Sequence, residues 1–548
     1  MNAPSALSDA DAKALGAYYT DAQVAEFLVD WAIRDAADTV LDPSFGGGVF
    51  LRSACKRIQH LGGSPVAQVF GVEIDASTHG RIADKLDEEF GLERGHLIEG
   101  DFFSHESLQV NVVVGNPPFI RYQKFNGVRR SRALARARGH ELKLSGLSSS
   151  WLPFLLLSIA SLKLGGRLAM VLPVEITHAA YARPALRALA SSFADVAVIT
   201  FQKKLFPDLS EDVLLVLADR KGEGPARFCV RDLVHAGQLA DAAGSLPSGS
   251  TPFLARDLEV GQQRFAEYLL SEKARNLYRT LKAGTHVWQL GKLAKVGIGY
   301  VTGANDYFHL HPDQAKLWRI PEQFLRPAVR RGRSLAGLEF SSADWIAAAA
   351  NGGAGYLLYL EPGDKPTSAV RRYLANGEAA GVHNAFKCRA REPWYCVPGV
   401  RTPDALLSYM SGATPRLVAN TARVVAPNSL HVVHVRAGSP MKPQGLASLW
   451  LTSLTRLSAE IEGHALGGGM LKLEPGEARN VLLPAVSGSD QLPKLLPVLD
   501  DLLRNRGYAA AAAEADRVIL RDGIGLSVGD CRTLRDAAET LRQRRYSR

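Results

Sequence analysis

Cysteine is scarce in this chain of 548 residues. The five present (Cys55, Cys229, Cys388, Cys396 and Cys531) form no CxxC pair and have no histidine partners at zinc-ligand spacing. A disulfide framework and a structural zinc site are therefore excluded, and no metal is expected. Such thiols suit a reducing cytosol, so the expected location is cytoplasmic. Long apolar runs are missing too. The longest, WLPFLLLSIASLKLGGRLAMVLP, is interrupted by Lys163, a glycine pair and Arg167, which leaves it too short to span a bilayer. Residues 1–11 lack the basic-then-apolar pattern of a secretory leader, and no membrane partner is expected. The Gly-rich turn in VLDPSFGGGVF has neither the lysine of a phosphate-binding P-loop nor the glycine spacing of the dinucleotide fingerprint.

Charge is plentiful but unevenly placed. The net charge is +10, yet residues 1–240 hold 26 Lys+Arg against 27 Asp+Glu, whereas residues 241–548 hold 39 against 28. A neutral front and a basic back point to a polyanionic partner read mainly by the C-terminal part.

In the first 240 residues, short apolar runs alternate with helix-length segments. TVLDPS, QVFGVEID, HLIEGDFF, VNVVVGNPP, RLAMVLP, DVAVITF and EDVLLVLADR supply seven expected strands. Alternation of this kind predicts a mostly parallel sheet covered on both faces. Only QKKLFPDLS separates the last two strands, which is too short for a helical crossover, so they are expected to pair antiparallel. Residues 241–252, DAAGSLPSGSTP, read as a linker. Beyond them the alternation gives way to short strands, Gly-rich turns and loops, with helices over 495–548. The expected domains are therefore 1–240 and 253–548.

Three acids end the first three strands. Asp42 precedes the glycine turn of Gly46, Gly47 and Gly48, where backbone can approach a ligand and a helix N-terminus offers free N–H groups. Glu73 ends the second strand, where a carboxylate suits ribose hydroxyls. Asp101 follows the third, placed to accept from an adenine amino group, with Phe102 beside it to lie on the ring. Each has an ordinary structural explanation: a generic turn, a solvated glutamate, a helix-capping aspartate ahead of core aromatics. Together they converge on one crevice, because open α/β sheets bind ligands at the carboxyl ends of their strands. A nucleoside carrying an amine fits that set.

The fourth strand ends in GNPPF. An exocyclic amine on an aromatic ring is a poor nucleophile, since its lone pair is delocalised. If the Asn116 amide oxygen and the Pro117 carbonyl both accept its N–H bonds, the nitrogen is pushed toward a pyramidal form able to attack a sulfonium methyl. Fixed acceptors aimed at developing positive charge are electrostatic preorganisation, worth several kcal/mol in comparable cases (about 3–4). Prolines 117 and 118 stiffen the strand end, and Phe119 is placed to stack on a base.

The order GAYYT, DPSFGGGVF, EID, GDFF, NPPF and then a basic region resembles the gamma group of restriction–modification N6-adenine DNA methyltransferases. The resemblance covers residues 15–220 most strongly and continues through VGIGYVTGANDYF and GGGMLKLEPGEARNVLLP. It implies a seven-stranded class I (Rossmann-like) methyltransferase domain using S-adenosyl-L-methionine, followed by a mixed α+β target-recognition domain on double-stranded DNA. By the same resemblance Asn116, Pro117, Pro118 and Phe119 are catalytic, and Tyr18, Tyr19 and Thr20 line the methionine end of the cofactor. Asp42, Pro43, Gly46, Gly48 and Phe50 lie beside them, Glu73 and Ile74 hold ribose and adenine, and Asp101 and Phe102 meet the cofactor's base. Phe206 is the implied second aromatic on the target base, with a core phenylalanine as its rival. Ser44, Phe45 and Gly47 depart from the family's usual small residues in the glycine motif.

Reaching an amine inside a duplex requires extruding the base, a cost of a few kcal/mol that stacking partly offsets at about 1–3 kcal/mol per base. From Arg121 to Lys143, eight Lys/Arg face only Glu141, so Arg121, Lys124, Arg129 and Arg130 are candidate phosphate contacts. Arg330, Arg331, Arg333, Lys387, Arg389 and Arg391 are candidates in the basic half. No PD…(D/E)xK pattern appears, so any restriction endonuclease is expected on a separate chain. The competing readings are an RNA adenine methyltransferase, a protein-glutamine methyltransferase (shorter enzymes without a large basic half) and a DNA-specificity module with a decayed cofactor site.

Overall fold

The computed structural model describes residues 20–105, 108–139, 144, 148–206, 212–243, 250–486 and 492–547. Short apolar runs in the first part become strands β1 (Val40–Asp42), β2 (Val69–Glu73), β3 (Leu97–Glu99), β4 (Val110–Gly115), β5 (Leu162–Pro173), β6 (Asp195–Phe201) and β7 (Val213–Asp219). All seven expected strands are present, and β6 and β7 pair antiparallel as expected. β1 lies between β2 and β4, parallel to both, with Val40 opposite Val69 and Val112. β3 adds in parallel outside β2, and β5 outside β4. β7 then inserts antiparallel between β5 and β6.

Among the described residues the sheet has nine strands rather than seven. β8 (Arg227–Leu233) runs parallel to β6, and β9 (Thr251–Phe253) closes the edge antiparallel to β8. β8 was hidden in sequence because RFCVRDL mixes charge into its apolar alternation. β9 lies in the stretch expected as linker, and its Pro252 is tolerated because an edge strand needs no donor on its outer side.

Helices cover the sheet where apolar faces require it. Ala22–Ala32 starts at Asp21, whose carboxylate accepts from the Gln23 N–H, and buries Val24, Phe27 and Leu28. Trp151–Ala160 is apolar on every side and buried throughout its first nine residues. Among the described residues no helix is long and apolar enough to cross a membrane.

The chain divides after Leu269 into two compact units. The second, from Leu270, is mixed α+β. Its four-stranded antiparallel sheet joins Ala294–Ile298, Leu430–Val435, Ala405–Ser408 and Leu417–Ala419, and two three-stranded sheets accompany it. The C-terminal helices Leu492–Arg506 and Val528–Tyr546 close the unit. Arg545 is buried there on Glu460 at 3.0 Å and donates to the Gly412 carbonyl at 2.8 Å.

In the first unit, Arg167 of β5 donates through one nitrogen to both oxygens of buried Asp38, at 2.7 and 2.9 Å. Asp38 also accepts the N–H groups of Arg34 and Asp35 at the end of the first helix. Removing one member of a buried pair leaves an uncompensated charge. Asp38→Ala is expected to lower stability by about 3–5 kcal/mol, read as a drop in the urea midpoint at unchanged slope.

Candidate active site

Because β3, β2, β1 and β4 are parallel neighbours, their carboxyl ends share one edge. Asp42 ends β1, Glu73 ends β2, Asp101 follows β3 and Asn116 follows β4. The turn after β1 is tied down from two sides. Asp42 Oδ1 accepts from the Ser44 N–H at 3.0 Å, and Phe45 N–H donates to the Val72 carbonyl at 3.1 Å. Glu73 accepts from the Gly46 N–H on one oxygen and the Asp75 N–H on the other, each at 2.9 Å. The glutamate expected on a ribose thus also braces the glycine turn.

Gly48 has φ +75° at the start of the helix Val49–His60, and a Cβ there would stand 2.6 Å from Ile82 Cγ2. Only glycine meets both conditions. Phe45, one of the departures from the family's small residues, is buried in the first unit's hydrophobic core. Pro43 and Phe50 are buried, and Ile74 is exposed.

Among the buried polar side-chain atoms with no hydrogen-bond partner in the described residues are one amide and two carboxylate oxygens at the strand ends, Asp42 Oδ2, Asp101 Oδ2 and Asn116 Oδ1. Their companion atoms are all engaged. Asp101 Oδ1 accepts from the Phe103 N–H at 3.1 Å, and Asn116 Nδ2 donates to the Thr20 hydroxyl at 3.2 Å. Buried polar atoms are nearly always paired, so three such oxygens left open along one sheet edge make it a candidate place for ligand donors. Asp42, only 1% exposed, has its carboxyl pushed up to about 7 by burial, with the Glu73 charge adding and the Ser44 N–H opposing.

Other expected residues have different surroundings. Tyr18 and Tyr19 lie outside the described residues. Phe102 stacks face to face on Phe154 at 5.4 Å within the core. Phe119 and Phe206 are 9% and 8% exposed and belong to the first unit's hydrophobic core. Arg121 and Lys124 are exposed, and Arg129 and Arg130 are partly exposed on the helix Gly127–Gly139. That helix reaches the segment after Asp101 through Arg132, which donates to the Ser104 hydroxyl at 3.1 Å.

In the second unit Arg331, Arg333, Lys387 and Arg389 are exposed. Lys387 and Arg389 flank Phe386, a ring 69% exposed, at 5.4 and 5.7 Å. Arg330 pairs with Asp306 at 3.0 Å, and Arg391 donates to the Val301 and Thr302 carbonyls. Among the described residues no group of three or more His, Cys, Asp or Glu could hold a metal ion.

Sequence reasoning missed Ser150, whose hydroxyl and N–H bond the backbone of residues 118 and 120. Its one signal was a serine triplet ahead of an apolar run, which reads as ordinary helix capping.

Residues 5–229 match the N-6 DNA methylase family, and residues 262–520 match the C-terminal domain of the type II methyltransferase M.Eco57I. The two matches account for both halves: the first is an N-6 DNA methylase domain, and the chain is a DNA methyltransferase. It is 21% identical to the type II methyltransferase M.AccI of Acinetobacter calcoaceticus over 85% of this chain and 84% of that one. It is 25% identical to M.PaeR7I of Pseudomonas aeruginosa over 86% of each. The type IIL restriction–modification enzyme MmeI, solved with DNA, shares the fold at a TM-score of 0.58 and 13% identity, covering 98% of this chain and 80% of that one.

The position of Asp42 makes stability depend on pH. Unfolded, it titrates at the ordinary value of 3.8; folded, at about 7. Below the first value both states hold the proton; between the two only the folded state does, so stability falls as pH rises and levels off above the second. The full loss is on the order of 4 kcal/mol. Urea unfolding across this range should show the decline in the ligand-free protein, and Asp42→Asn should flatten it.

Proposed function

We propose that this chain transfers a methyl group from S-adenosyl-L-methionine to N6 of a specific adenine in double-stranded DNA. The observation that carries the proposal is the set of three partnerless buried acceptors at the ends of β1, β3 and β4. An ammonium group suits Asp42 and an adenine amino group suits Asp101, as one nucleoside cofactor would supply, while Asn116 is left for the amine of the target base. Asp42 and Thr20 would hold the methionine end, a role that the family resemblance gives to Tyr18 and Tyr19 as well. Glu73 would take the ribose, with Ile74 on the adenine, and Asp101 the adenine amino group. When bound, the cofactor supplies an electrophilic methyl on a sulfonium.

The chain's own residues then act on the target nitrogen. Asn116 already spends its amide N–H on Thr20, so its free oxygen is the atom presented to an incoming donor. Asn116 Oδ1 and the Pro117 carbonyl accept the two N–H bonds of the amine, and its lone pair is turned toward the methyl. The amine sheds its proton readily once methylated, so no general base is needed. Phe119 and Phe206 flank the base; since both are buried, its entry has to displace their present packing.

The first compact unit, which runs to Leu269 rather than to residue 240, is the catalytic part of this reading, and the second, from Leu270, the target-recognition part. Arg331, Arg333, Lys387 and Arg389 offer exposed cations for phosphate. The setting is bacterial cytoplasm, with any cognate endonuclease a separate chain.

Asn116→Ala is expected to lower methyl transfer by about 100-fold or more, measured as labelled methyl incorporated into duplex DNA. Calorimetric binding of S-adenosylmethionine should survive. Full activity in that variant would refute the mechanism.

A further inference from the structure

The Asn116-Pro117-Pro118 turn cannot hold itself. Two consecutive residues have no N–H to donate, so its backbone needs an anchor from elsewhere. We infer that Ser150 is that anchor, a positioning residue that fixes the acceptor pair for methyl transfer; the inference rests on the adenine-amine reading above.

Ser150 occupies the N-cap position of the helix Trp151–Ala160. There a serine hydroxyl normally accepts from an N–H in the helix's first turn. Ser150 makes no such bond, and its backbone is already helical. Its hydroxyl instead donates to the Pro118 carbonyl and accepts from the Ile120 N–H at 2.8 Å. Its own N–H donates to the Ile120 carbonyl at 3.0 Å. One residue, 1% exposed, thus makes three hydrogen bonds to a segment thirty positions earlier.

The anchor is braced in turn. The next residue, Trp151, donates its indole N–H to the Tyr181 oxygen at 3.0 Å, and Tyr181 donates to the carboxylate of Glu175. Ser149 is hydrogen-bonded to the same Tyr181 oxygen at 3.2 Å. Glu175 lies in the turn Val174–Thr177 that follows β5, the parallel neighbour of β4. The catalytic turn is therefore held to the end of the adjacent strand through Ser150, Trp151, Tyr181 and Glu175. A slackened anchor lets the Pro117 carbonyl and Asn116 drift from the amine without touching the cofactor's acid contacts. The loss then falls on the chemical step.

Steady-state methyl transfer to duplex DNA by Ser150→Ala, Ser150→Thr and Ser150→Asp tests this. Ser150→Ala should lower kcat by about 10- to 100-fold while KM for DNA and cofactor stays within about twofold. Ser150→Thr, which keeps the hydroxyl, should recover most of the loss. Ser150→Asp is as good a helix cap but sets a carboxylate against the Pro118 carbonyl, so it should not recover. If the alanine variant does not fold, the threonine–aspartate pair makes the same comparison. A kcat within about twofold of wild type in Ser150→Ala, or recovery by Ser150→Asp, overturns the inference. Absence of transfer by the wild-type enzyme contradicts the assigned reaction itself, and the Ser150 role with it.

Discussion

The pairing of β1 between β2 and β4 is the constraint on which the site depends. Side chains alternate along a strand, so a slip of one residue would turn Asp42 from the crevice to the opposite face. It would also separate the Gly46–Glu73 bond that shapes the glycine turn. Close packing enforces the register: a Cβ on Gly115 would lie 2.9 Å from Asp42 Oδ1, so β4 approaches the end of β1 as only glycine allows. The strand ends thus act as one rigid edge that holds polar atoms open for a ligand.

That rigidity explains the division of labour among the acids. Each uses one oxygen to organise backbone and, for Asp42 and Asp101, leaves the other without a partner. Glu73 uses both oxygens on backbone N–H groups, each keeping a further lone pair. Positioning by internal bonds means that little is left to reorganise when a ligand arrives, which is the condition for preorganised catalysis. Asp42 bears the cost: burial with a negative neighbour makes its charge unfavourable until a cation compensates it.

Much of this was legible in the sequence, for physical reasons. Strands buried on both faces read as continuous apolar runs, and the acids at their ends are conspicuous against them. NPPF identifies the kind of nitrogen it suits because prolines fix geometry locally. What escaped was whatever depends on distant partners. Ser150 looks like a helix cap until its hydroxyl is found on Pro118. Phe102 looks available to a base until it is seen stacked on Phe154. β9 is three residues around a proline and has no pattern of its own. Cations are the least legible: Arg391 and Lys387 sit in one basic segment, yet Arg391 holds two carbonyls while Lys387 is exposed. Composition gives the sign of a surface but not which members face solvent.

The chemistry proposed for the crevice and the polyanionic partner expected of the basic half lead to one product. Its most direct measurement is modified-base sequencing of DNA from cells expressing the chain, beside cells without it. Methylation at N6 of adenine, confined to one short sequence motif and present at most copies of it, is the expected outcome. DNA without N6-methyladenine, or with the new methyl group on another base or scattered without a motif, would contradict the central claim.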